Sequence, residues 1–201
     1  MSQRPMPSFR FAKTVLCAVV LALGSVSAAV AGPEPTPAAK SQPVSLDDLF
    51  ARLKAAEDDA EAKGVATLIE RRLDRSGSAT ADLLTERARQ AMSGRDLPLA
   101  VELLDRATTL EPGWSEGWNR RATVFWLLQD ASSAISDLKR TLVIEPRHYE
   151  AWAALGRIYL SLDDKNRALD CFRRAASIYP RMPKLQPSID RIAPDVDGRE
   201  L

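Results

Sequence analysis

The chain has 201 residues, 45% of them hydrophobic, with 28 basic and 27 acidic side chains and a net charge of +1. This length allows one modest domain with appendages, and the balanced charge leaves no electrostatic case for nucleic-acid binding. Arg4, Arg10 and Lys13 are the only charged residues in the first 31 positions, so the remainder carries 25 basic against 27 acidic groups.

The N-terminus reads as an address. Met1 to Lys13 is basic and free of acid, Val15 to Leu23 is apolar, and Ala29-Val30-Ala31 puts small residues before Gly32. These parts make a secretory signal peptide over 1–31, cleaved between Ala31 and Gly32, and a secreted, periplasmic body. The apolar run falls short of the roughly 20 residues of a membrane span. An uncleaved anchor facing the periplasm is therefore the second reading, and the only route to a membrane; an organelle transit peptide is the third. Residues 32–45, with Pro33, Pro35, Pro37 and Pro43, read as a disordered, extended tether.

Residues 46–75 read as a hairpin of two helices broken near Gly64. Leu46, Leu49, Phe50 and Leu53 stripe the first, and Val65, Leu68, Ile69 and Leu73 the second. The hairpin is expected to be a degenerate repeat or an N-terminal cap, with Glu57-Asp58-Asp59 at a solvated helix end. Residues 76–80 contain Gly77 and read as a flexible joint that lets the hairpin swing.

Beyond the joint a beat appears. Pro112, Pro146 and Pro180 are spaced by 34 residues, each after an amphipathic run. Windows 81–114, 115–148 and 149–182 then align. Large residues recur at the fourth position (Leu84, Trp118, Trp152) and the twenty-fourth (Leu104, Leu138, Phe172). Small ones recur at the eighth (Ala88, Ala122, Gly156), the twentieth (Ala100, Ala134, Ala168) and the twenty-seventh (Ala107, Thr141, Ala175). Helices approach closely only where a large side chain meets a small one. Proline cannot continue a helix, so each window is helix, turn, helix, stop. Asp96, Asp130 and either Asp163 or Asp164 are placed to cap the second helices.

These residues resemble the tetratricopeptide repeat family. The third window carries every marker of the pattern: Trp152, Leu155, Gly156, Tyr159, Ala168, Phe172, Ala175 and Pro180. The first departs most, with Leu84 and Ala91 in place of aromatics, and Arg87 and Arg121 stand where the family has an apolar residue. The resemblance implies an all-α solenoid of antiparallel hairpins: three repeats, the N-terminal hairpin and, in 183–201, a short capping helix around Pro187–Ile192 with a frayed tail from Pro194.

The resemblance also implies a concave groove lined by the first helices. Its residues would be Asp82, Thr85, Arg89, Met92 and Ser93, then Glu116, Asn119, Thr123, Trp126 and Leu127, then Glu150, Ala153, Arg157, Leu160 and Ser161. Within these, Arg89, Met92, Asn119, Thr123, Trp126, Arg157 and Leu160 are the candidate binding residues. They suit a partner peptide or helix with an apolar anchor and one carboxylate; alternatively Trp126 and Leu160 pack on the flanking helices. The carboxylate-clamp subclass is not matched, because Thr85, Arg89, Glu150 and Ala154 occupy its key positions.

The chemistry inventory is thin. His148 is the single histidine and Cys171 the single cysteine outside the leader. That is too little for a zinc site. There is no Gly-x-Ser-x-Gly elbow and no phosphate-cradling loop. The expectation is a binding scaffold with no catalysis, cofactor, metal or small-molecule substrate, or alternatively a homo-oligomer packed through the ends of the stack.

Overall fold

The computed structural model describes residues 44–198; the expected leader, its expected cleavage site at Ala31–Gly32 and most of the proline-rich segment lie outside them. The described residues form helices α1 (Leu46–Ala55), α2 (Asp59–Leu73), α3 (Ala79–Ser93), α4 (Leu97–Leu110), α5 (Ser115–Leu127), α6 (Ala131–Ile144), α7 (Tyr149–Ser161), α8 (Lys165–Ile178) and α9 (Leu185–Asp197). The architecture is an all-α helical solenoid, with α3–α4, α5–α6 and α7–α8 as stacked antiparallel hairpins.

The turn inside each hairpin is the same device used three times. Arg95, Gln129 and Asp163 adopt φ of 62°, 64° and 60°. The following aspartates donate their backbone N–H back to Ala91, Phe125 and Tyr159 at 2.8–2.9 Å, closing Schellman motifs. Asp96, Asp130 and Asp164 then cap the next helix, accepting from the N–H of Leu99, Ser133 and Arg167. One residue thus ends one helix and the next starts the other.

The large-and-small beat is realised in the core. Ala88, Ala122, Ala100, Ala134, Ala168, Ala107, Thr141 and Ala175 are all buried, beside Leu104, Leu138 and Phe172. Trp118 and Trp152 are only half-buried, and their indole N–H groups donate to Pro112 O and Pro146 O, pinning the loops between repeats. Where Arg121 replaces the usual apolar residue, its guanidinium donates to both carboxylate oxygens of buried Asp137 at 2.8 and 2.9 Å. It reaches Asp105 on α4 at 2.6 Å and lies 4.7 Å from the Trp118 ring. One side chain therefore ties the first repeat to the second, and its stem covers the core as an aliphatic residue would.

Four expectations are corrected. First, Gly64 lies inside α2 and does not break the hairpin; the break falls at Ala56–Asp58, where Asp58 caps α2 by accepting from Glu61 N–H. Second, α9 runs from Leu185 through Pro194 to Asp197 and does not fray there. Ile189 and Ile192 are buried in the core of the third repeat, and Arg173–Asp197 and Lys165–Asp195 ion pairs hold the helix end.

Third, the α1–α2 hairpin does not extend the stack ahead of α3. Leu49, Phe50, Leu53, Val65 and Ile69 pack instead with Tyr149 and Tyr179, at the loops that join the repeats. Each loop contributes an anchor. Trp114 Nε1 donates to Leu73 O at 2.7 Å. Arg147 pairs with Asp47 and stacks on Phe50, 4.3 Å from the ring centre. Arg181 donates to Ala56 O and Glu57 O and pairs with Asp59. The hairpin is a strap across one edge of the stack. Fourth, the expected joint is itself ordered: Ser76 Oγ donates to Asp82, Ser78 caps α3, and Gly77 supplies φ of 85°.

Replacing Arg181 with alanine should loosen the strap and leave the stack intact. Hydrogen exchange should quicken over 46–73 and stay unchanged in α5 and α6; uniform acceleration would show that the strap is no separate unit.

Candidate binding groove

The first helices of the hairpins, α3, α5 and α7, line one face. A 240 Å³ cleft there is walled by Thr85, Ala88, Arg89, Met92, Leu104, Glu116, Asn119, Arg120 and Thr123. Four of the candidate residues, Arg89, Met92, Asn119 and Thr123, meet in this cleft. Its floor is apolar and its rim is polar, which suits a side chain with an aliphatic body.

The remaining candidates are placed differently. Trp126 is 40% exposed at the end of α5, beside Leu127 at 51%, and neither is consumed by packing on the strap. Leu160 is half-buried against the core cluster that includes α9, so packing accounts for it. Arg157 is exposed and makes no hydrogen bond or ion pair among the described residues. Burial of its guanidinium pulls its pKa below the ordinary arginine value, against the opposing pull of Glu150. Of the other residues expected to line the groove, Thr85 is buried with its hydroxyl donating to Ala81 O, and Ala153 is buried too.

Most charges on this face are neutralised within the protein. Arg89 pairs with Glu86 one turn away. Arg120 bridges Glu116 and Asp74. Asn119 donates to Glu116 at 3.1 Å. His148 is buried: its Nδ1 accepts from Ala151 N–H as the cap of α7, so its Nε2 carries the hydrogen and donates to Glu116 at 3.0 Å. Glu116 feels burial first, which raises its pKa, but His148 and Arg120 together hold it below the usual carboxylate value.

Sequence reasoning put Glu150 on this face but missed its setting. It borders a 170 Å³ cavity lined by Glu70, Leu73, Asp74, Glu116, His148 and Tyr149, closed on one side by α2 of the strap. Tyr149 donates to Glu70 at 3.2 Å, whereas Glu150 makes no hydrogen bond or ion pair among the described residues. Burial, then the charges of Glu116 and Glu70, raise its pKa. The signal was available only in part, since Glu70 is distant in sequence.

Elsewhere the chemistry is inert. Burial pushes the Cys171 thiol up to about 11, leaving little thiolate at neutral pH. No group of His, Cys, Asp and Glu among the described residues is arranged to hold a metal ion. No helix among them is long and apolar enough to cross a membrane.

Comparison with known proteins agrees with the geometry of the third hairpin. Residues 149–182 match the tetratricopeptide repeat family. This chain carries a tetratricopeptide repeat. A TPR repeat-containing protein of Rhizobium etli is 37% identical over 100 residues, a match spanning 50% of this chain and 49% of that relative. The chain thus covers about half the length of that relative. Among solved structures, the first TPR of Spaghetti (RPAP3) bound to an HSP90 peptide is 16% identical, with a TM-score of 0.56 over 60% of this chain and 95% of that one. The TPR domain of Arabidopsis OM64 is 20% identical, with a TM-score of 0.53 over 56% and 93%. MamA is 18% identical, with a TM-score of 0.53 over 76% and 81%. At these identities the likeness is one of fold.

Glu150 bears on stability with a definite sign. A carboxylate whose pKa is raised by folding binds its proton more tightly in the native state, so its ionisation costs stability as pH rises through that value. Glu150→Gln should therefore melt at a higher temperature than the parent at pH 7. The difference should vanish as pH falls below the unfolded value of 4.5. A variant less stable than the parent at pH 7 would show that Glu150 has a partner in solution.

Proposed function

We propose that the protein is a non-catalytic scaffold that holds a segment of a partner protein against the concave face of α3, α5 and α7. One observation carries this reading. The face keeps an open apolar cleft, an exposed tryptophan, a half-buried carboxylate and an exposed guanidinium, both without a partner, none of which the packing of the stack requires. Unpaired, partly desolvated charges cost stability. Features kept at such a cost mark binding sites.

The fold lends support from a neighbour, since the Spaghetti domain of the same fold is seen with a bound peptide. The partner segment on this reading is a protein or peptide, with a side chain in the cleft between Met92 and Thr123 and another against Trp126. The basic, then apolar leader supports action outside the cytoplasm, in the periplasm, with the tether setting the distance from any uncleaved anchor.

The alternative of end-to-end self-assembly is less well supported. At the free end of the stack Leu83, Arg87 and Gln90 are exposed, whereas their counterparts in the third repeat, Ala151, Leu155 and Ile158, are buried against the second. Two of these three end residues are polar, as suits the outer face of a terminal repeat.

A photo-crosslinking residue at Thr123, compared with one at Val143 outside the groove, tests the proposal in cells. Discrete protein adducts from Thr123, lost when Trp126 is also replaced by alanine, are expected. Adducts from Val143 alone would overturn the assignment of the groove.

A further inference from the structure

Resting on that groove reading, the geometry points to a finer requirement: the occupant carries a pair of opposite charges, a basic group that meets Glu150 and a carboxylate that meets Arg157. The argument begins with which charges on this face are free. Arg89 has Glu86, Arg120 has Glu116 and Asp74, Glu116 has His148 besides, and Asp82 accepts from Ser76. Glu150 and Arg157 have neither a hydrogen bond nor an ion pair among the described residues. They are the charged side chains of this face left without a partner among the described residues.

Their placement makes them a pair. They are seven residues apart on α7, two helical turns, which at ~1.5 Å per residue separates them by about 10 Å along one face. Ala153 lies between them, buried and too small to obstruct a chain passing over it. The two feel each other's charge without forming an ion pair, and one short segment can meet both.

Each end differs in kind. Glu150 opens on the 170 Å³ cavity where Glu70 and Glu116 add negative potential, with His148 and Tyr149 already committed to Glu116 and Glu70. This space suits an ammonium or guanidinium head. At the other end Glu150 is the acidic group whose charge acts on Arg157 without pairing with it, and the planar fork of Arg157 fits a carboxylate. An extended occupant in the polyproline II conformation advances ~3.1 Å per residue with three residues per turn, so its base and acid share a face when three residues apart. On a helical occupant they fall seven apart.

The test uses fluorescein-labelled synthetic peptides of 12 residues with one leucine anchor, read by fluorescence anisotropy against the full chain. Four patterns are compared: Lys and Asp three apart, Lys and Asp seven apart, two Lys, and two Asp. One mixed-charge peptide should bind about tenfold more tightly than either like-charged one, the equivalent of one charge-assisted contact. Glu150→Gln should erase only the advantage of the lysine, and Arg157→Gln only that of the aspartate, with both variants melting cooperatively. Equal affinity for all patterns, preference for a like-charged peptide, or no binding by any of them would overturn the inference. Equal binding that is still abolished by Trp126→Ala would leave the groove in place while removing the charge pair.

Discussion

The Phe172 ring sits where the side chain of residue 156 would begin. A Cβ on Gly156 would lie 2.6 Å from two ring carbons, far inside van der Waals contact. The absence of that one methyl lets α7 and α8 approach until the ring fills the space between them. The first and second hairpins use gentler versions of the same contact, Ala88 with Leu104 and Ala122 with Leu138, all buried. Because the contact recurs every 34 residues, the hairpins stack in register, and their first helices are brought to one face. The groove is a consequence of this close approach, since splayed hairpins would not hold Ala88, Met92 and Leu104 around one cleft.

The repeats do not stand alone. Arg121 stitches the first to the second through Asp105 and Asp137. The strap joins all three loops through Trp114, Arg147 and Arg181. A short solenoid has two ends and little core per repeat. This chain meets that problem with α9 at one end, polar residues at the other and the strap along an edge. The strap also shapes the cavity beside Glu150, to which α2 and its C-terminal cap supply Glu70, Leu73 and Asp74. On the proposed reading, residues that brace the stack also border the partner's site.

Local physics was readable in the sequence and distant pairing was not. Proline spacing, the large-and-small alternation and the three capping aspartates each act within one hairpin, so periodicity reveals them. The strap depends on contacts such as Arg147 with Asp47 and Arg181 with Asp59, which are 100 and 122 residues apart and follow no repeat. The left-handed turn residues Arg95, Gln129 and Asp163 recur at the same spacing, but with no glycine among them they gave no signal. In the groove, sequence placed the cleft residues together and overstated Arg89, whose charge is taken by Glu86. It named Arg157 for its charge, but only the structure shows that it and Glu150 lack partners.

The most direct test of the central packing claim is a double-mutant cycle on one contact. Gly156→Ala, Phe172→Leu and the double variant would be unfolded in denaturant, and their stabilities compared. Overpacking by the added methyl should cost Gly156→Ala about 1–3 kcal/mol, and the smaller leucine should recover much of that loss in the double variant. Strictly additive losses would mean that residue 156 and the ring do not meet, and the register of the stack would have to be redrawn.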